Sequence, residues 1–169
     1  MKKIKRIFFI LFLMSGLYLN AQTVIPLKTG SDIDKIKNDA AGNIYIINLW
    51  ATWCKPCVEE FPGLVQLYRD YEQKGVKLFF ISVDEPSELE KSIIPFLKNQ
   101  NVDFVTYFNS FDKMDDFINY IDMKWDGSIP MTYIYDKSGI LYKGFLGSRS
   151  YEFFKNELDN LLISSKAGN

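Results

Sequence analysis

Apolar and polar positions alternate along the chain in two rhythms, one of strands and one of helices. Ile44–Trp50 and Val76–Val83 are near-continuous apolar runs, the pattern of strands covered on both faces. Between them Cys57, Phe61, Leu64, Val65 and Tyr68 recur at i, i+4, i+7, i+8 and i+11. That stripe predicts a helix from Cys54 to about Lys74, closed by Gly75. Ser31 is expected to cap a short helix running to about Ala40 and ended by Gly42-Asn43. Downstream, Asp84-Glu85-Pro86-Ser87 turns into a predicted helix reaching about Asn99. A strand over Val102–Phe108 and a helix from Asp112 to about Met123 follow. Met131–Asp136 and Ile140–Leu146 alternate around Lys137-Ser138-Gly139, a hairpin pattern. Ser150 then caps a last amphipathic helix with Phe153, Phe154, Leu158, Leu161 and Leu162 on one side. No repeat or low-complexity tract interrupts this order, and only Gln22–Gly30 and Ser164–Asn169 are expected to be disordered. The order predicts an α/β fold, a mixed central sheet flanked by helices on both faces.

The N-terminus breaks the rhythm. Lys2, Lys3, Lys5 and Arg6 precede an apolar stretch from Ile7 to about Leu19, and then Asn20-Ala21-Gln22. Such a segment reads as a secretory signal peptide over residues 1–21, cut after Ala21, with an uncleaved anchor as the minority alternative. The stretch is shorter than the roughly 20 residues of a spanning helix. Residues 22–169 form the expected folded domain. Residues 1–21 hold four of the 20 Lys and Arg residues and no acidic ones, leaving 16 basic against 21 acidic and a net charge of −5. An acidic body without a basic run argues against nucleic acid as a partner.

Histidine is absent from the whole chain. Catalytic Ser-His-Asp and Cys-His arrangements, His-ligated metal sites and Cys-x-x-Cys-His haem attachment are therefore excluded. Two cysteines cannot complete a tetrahedral thiolate site within one chain. No metal and no organic cofactor is expected.

Those two cysteines, Cys54 and Cys57, stand at the predicted strand-to-helix junction in Trp53-Cys54-Lys55-Pro56-Cys57. Unpaired amides and the positive dipole end of a helix favour thiolate over thiol, and such settings bring a cysteine pKa from about 8.5 to roughly 3.5–7.5. Cys54 is expected at the exposed helix tip as the nucleophile, with Cys57 facing inward to resolve a mixed disulfide. Pro56 stiffens the intervening loop and gives up an amide that a first turn leaves unpaired. Lys55 adds a modest positive charge. An inert staple is the competing account, but so short a loop stabilises little through chain entropy and leaves the placement unexplained.

Glu60 follows Cys57 by three residues, about one turn further in, whereas Glu59 projects to the solvated side. Two readings fit Glu60: a buried proton acceptor for Cys57, or an acidic residue that merely suits the helix N-terminus. Pro62 should kink this helix. Ile129-Pro130 opens a predicted strand, where a trans bond is the ordinary expectation and a cis bond the rare one. Trp50 reads as core; Trp53, beside the first thiol, is harder to bury.

Trp50-Ala51-Thr52-Trp53-Cys54-Lys55-Pro56-Cys57, then Glu59-Glu60-Phe61-Pro62 and Ile129-Pro130-Met131-Thr132, resemble the thioredoxin superfamily. Within it the chain is similar to the TlpA/ResA-like exported thiol–disulfide oxidoreductases, over about Ile44 to Leu162. The resemblance implies a thioredoxin-like fold with an extra helix and strand, about Ser87–Phe108, before the proline-bearing strand. It implies a cis bond at Pro130, which with Ile129 shapes the groove for substrate backbone. It places Glu60 at the acidic position that tunes the cysteine pair. Asn48 stands where thioredoxins proper carry a buried aspartate. A longer approach, Met123-Lys124-Trp125-Asp126-Gly127-Ser128, is expected to bring Trp125 to the substrate groove, alongside Trp53, Lys55 and Pro56.

The function expected is periplasmic thiol–disulfide exchange with protein thiols and disulfides, in the direction of reduction. A membrane thiol-electron donor of the DsbD kind would supply electrons, cytochrome c maturation proteins are candidate substrates, and a monomer is expected. The rivals are a disulfide oxidant or isomerase, a non-catalytic binding module of the same fold and, more weakly, a peroxidase.

Overall fold

The computed structural model describes residues 22–167, so the signal-peptide segment lies outside the described residues. Among the described residues six strands and five α-helices follow one another as β1 (Val24–Leu27), α1 (Gly30–Asp39), β2 (Ile44–Trp50), α2 (Lys55–Tyr71), β3 (Val76–Ser82), α3 (Ile94–Asn99), β4 (Thr106–Asn109), α4 (Met114–Ile121), β5 (Met131–Tyr135), β6 (Leu141–Leu146) and α5 (Tyr151–Ala167). The strands form one sheet in the order β1-β4-β3-β2-β5-β6. β1, β4, β3 and β2 run parallel to one another, β5 runs antiparallel to β2, and β6 runs antiparallel to β5. This is the thioredoxin-like arrangement expected.

β2 is buried along its whole length, and its alternation feeds two cores. Ile44, Ile46 and Trp50 face a core built with Cys57, Phe61, Leu64 and Val65 of α2 and Phe154, Leu158 and Leu161 of α5. Tyr45, Ile47 and Leu49 face a second core with Ile33 and Ile36 of α1 and Phe117 and Ile121 of α4. Period-two side chains on a doubly covered strand require such a split. Phe61 is fully buried and stacks on Phe80 with centroids 3.9 Å apart, while Trp50 and Phe96 meet it edge-on or nearly so.

Several boundaries differ from the sequence expectation. Val24–Leu27 is strand rather than disorder, because β4 offers it a parallel edge. Thr29, not Ser31, caps α1, with Asp32 closing the capping box. The segment after β3 is not one α-helix: a 3-10 turn at Pro86–Glu88 and a π-turn at Leu89–Ile93 precede α3. Pro95 sits in the first turn of α3 and lacks the amide that would carry an α-helix through from Leu89. β4 starts later than Val102 and ends at Asn109, since only Thr106–Asn109 pair with β1 and only Tyr107 and Phe108 with β3. α5 continues to Ala167, past the expected fraying point at Ser164. Pro62 lies inside α2, exposed and outside its buried stripe. Ser150 Oγ accepts the Phe153 amide at 3.2 Å, as its capping role requires. No helix among the described residues is long and apolar enough to cross a membrane.

Truncating Phe61 leaves Phe80, Trp50 and Phe96 without their shared partner. The Phe61→Ala protein is expected to lose roughly 3–5 kcal/mol of stability, read from denaturant midpoints at constant m-value.

Candidate active site

The site lies where β2 ends and β5 begins. Leu49 pairs with Met131, so Pro130 falls opposite Trp50, next to the loop that carries the cysteines. The Ile129–Pro130 bond is cis, as the resemblance implied. Pro130 is buried, its carbonyl accepts the Gly147 amide at 2.8 Å, and half-buried Ile129 packs against both cores.

Cys54 and Cys57 are joined as a disulfide, with Cα atoms 5.2 Å apart. Cys54 is the N-cap of α2: its sulfur accepts the Cys57 amide at 3.3 Å and its carbonyl accepts the Val58 amide. A sulfur held against first-turn amides meets the positive end of the helix, which favours a thiolate there after reduction. Pro56 occupies the same first turn and leaves no orphan amide.

Cys54 is not an exposed tip: it is 6% exposed against 1% for Cys57, because it packs into the same core as Trp50, Ala51 and Cys57. Lys55 is solvated and pairs at 3.8 Å with Glu59, so its charge is spent on a neighbour and screened by water. Trp53 is the outlying residue, 70% exposed beside the disulfide. Trp125 is only 6% exposed and belongs to the second core, its indole N–H donating to the Ser128 carbonyl at 2.8 Å. It nonetheless shares the wall of a cavity with Trp53.

Glu60 is buried one turn beyond Cys57. The Asn48 side-chain amide donates to its Oε1 at 3.0 Å, and the Arg149 backbone amide donates to its Oε2 at 3.0 Å. Asn48 Nδ2 also donates to Thr132 Oγ1 at 2.9 Å, joining paired residues of β2 and β5. Burial raises the Glu60 pKa above the usual carboxyl value, and the hydrogen bonds from Arg149 and Asn48 offset only part of that. A raised carboxyl pKa is what the first of the two readings, a buried proton acceptor for Cys57, requires.

Asp84 escaped notice in the sequence, where a polar residue after an apolar run reads as a turn. It is buried and accepts from the Thr52 amide at 2.9 Å, the Thr52 hydroxyl at 2.6 Å and the Ser82 hydroxyl at 2.6 Å. These bonds moor the loop that precedes Trp53 and Cys54 to the end of β3. Arg149 was missed for another reason: its backbone amide acts on Glu60, and backbone donors carry no residue signature. Among the described residues no group of three or more Cys, Asp or Glu side chains is arranged to hold a metal ion.

Fold and site together define a thioredoxin-like protein with a dithiol–disulfide pair at a helix N-terminus. The family model described as AhpC/TSA matches residues 23–143, and the chain belongs to that family. It is 29% identical over 123 residues to the thiol-disulfide oxidoreductase ResA of Geobacillus thermodenitrificans, covering 73% of this chain and 66% of that one. It is also 29% identical over 133 residues to the thioredoxin-like protein YneN of Bacillus subtilis, covering 79% and 74%. A thiol:disulfide interchange protein of the thioredoxin family from Chlorobium tepidum superimposes with a TM-score of 0.63 at 26% identity, covering 75% and 84%. The chain spans just under two thirds of the length of the ResA relative.

The raised Glu60 pKa fixes a sign. Between the ordinary carboxyl value and the raised one, the folded protein keeps a proton that the unfolded chain has released. Stability therefore falls as pH rises through that interval and levels off above it. In Glu60→Gln this slope is expected to vanish, so denaturant midpoints of the oxidised proteins, compared between about pH 4 and pH 8, should shift in favour of the variant as pH rises.

Proposed function

We propose that the protein is an exported thiol–disulfide oxidoreductase that reduces disulfides in partner proteins. The observation that carries this reading is the Cys54–Cys57 disulfide at the N-cap of α2 with the buried Glu60, its pKa raised by desolvation, one turn behind it. The names of the ResA relative and the Chlorobium protein point to the same chemistry.

In the reduced protein the Cys54 thiolate attacks a substrate disulfide, forming a mixed disulfide and releasing one substrate thiolate. Cys57 then gives its proton to Glu60, and its thiolate attacks the Cys54 sulfur. The second substrate thiolate departs, and the protein is left with the Cys54–Cys57 disulfide seen here. Two electrons have passed to the substrate, so each cycle needs a dithiol donor to restore the pair. A membrane thiol-electron donor of the DsbD kind fits that requirement outside the cytoplasm, and haem-attachment proteins are fitting substrates. Export rests on the basic and apolar segment at residues 1–21.

Replacing Cys57 by serine removes the resolving thiol. Cys57→Ser is expected to accumulate mixed disulfides through Cys54 that a small dithiol dissolves, with none formed by a Cys54→Ser, Cys57→Ser double variant. Titration of the wild-type couple against glutathione should give a potential toward the reducing end of the range of about −270 to −120 mV; a value at the oxidising end would make the protein an oxidant.

A further inference from the structure

A cavity of about 250 Å³ opens at Trp53, the residue before Cys54, and is lined also by Val83, Glu85, Met114, Ile118, Trp125 and Gly127. Four separate segments build it: the cysteine loop, the end of β3, α4 and the approach to cis-Pro130. Its walls are two indoles and three aliphatic or thioether side chains, and Glu85 is the single charged group among them. Gly127 has φ +86°, and a Cβ there would come within 3.1 Å of Ile118 Cδ1, so glycine keeps this wall open. Asp84 turns inward to moor Thr52, whereas Glu85 is exposed and its carboxyl has no hydrogen-bond or ion-pair partner among the described residues.

We propose that this slot selects substrates by a lysine or arginine side chain flanking their reactive cysteine. The inference rests on the thiol–disulfide reading above and adds the substrate class to it. Indole faces attract a cation, and the aliphatic stem of lysine or arginine covers apolar wall while its head reaches water or a carboxylate. Glu85 supplies the carboxylate that the slot otherwise leaves without a counter-charge. A purely apolar side chain fits the walls but leaves Glu85 without a counter-charge. An acidic side chain meets like charge. Trp53 adjoins Cys54 in the chain, so a residue bound in the slot belongs to the segment whose disulfide is attacked.

The test uses the reduced full-length protein and three disulfide-bonded synthetic peptides that differ only beside one cysteine: lysine, norleucine or glutamate. The lysine peptide is expected to exceed norleucine about five- to ten-fold in kcat/KM for thiol release, with glutamate below both and the gap narrowing in salt. Glu85→Gln should bring the lysine-to-norleucine ratio close to one. Equal rates on all three peptides with the wild-type protein would overturn the slot. Absence of thiol release from every peptide would strike the oxidoreductase reading instead. The slot is then read without chemistry, by tryptophan fluorescence of the oxidised protein titrated with peptides carrying serine for cysteine. Saturable quenching that prefers lysine and is lost in Glu85→Gln supports it, and quenching with no lysine preference overturns it.

Discussion

Glu60 is the residue on which the site turns. Its carboxyl is buried one turn behind Cys57 and receives hydrogen bonds from Asn48 on β2 and from the backbone of Arg149 between β6 and α5. Asn48 in turn holds Thr132 on β5. One buried acid therefore ties the cysteine helix, the central strand, the strand after the cis-proline and the C-terminal helix junction. Polar groups at this depth are costly unless partnered, so the network demands a definite placement of each of those elements.

That placement has a chemical consequence. Desolvation raises the carboxyl's pKa, and the hydrogen bonds from Arg149 and Asn48 offset part of the rise. The sulfur side is prepared independently: Cys54 caps α2 and takes the dipole of its first turn, while Asp84 fixes the preceding loop through Thr52. In the proposed cycle the sulfur that exchanges electrons and the acid that takes the proton sit on the same helix, one at its end and one a turn inside.

The slot beside Trp53 follows from a division of labour in the same region. Ser82, Val83, Asp84 and Glu85 leave β3 in succession, and the two acids go opposite ways. Asp84 turns into the interior and stabilises the cysteine loop; Glu85 faces the solvent edge of an aromatic cavity. Positioning and recognition thus come from adjacent residues.

By itself the sequence determined what periodicity and local chemistry can encode. The full burial of Ile44–Trp50, the α2 stripe through Phe61, the hairpin around Gly139, the Ser150 cap and the pairing of Cys54 with Cys57 all follow from spacing. Features made by distant segments were decided only in three dimensions. The strand at Val24–Leu27 exists because β4, some eighty residues later, gives it an edge. The near burial of Cys54 depends on how its loop meets the core, and the helix after Pro86 breaks into 3-10, π and α pieces where Pro95 must be fitted. Trp125 became both core and cavity wall because α4 and its following loop fold back over β5. Asp84 and the Arg149 backbone entered the site for the same reason. A buried hydrogen bond belongs to the fold's geometry, and neither partner's identity announces it along the chain.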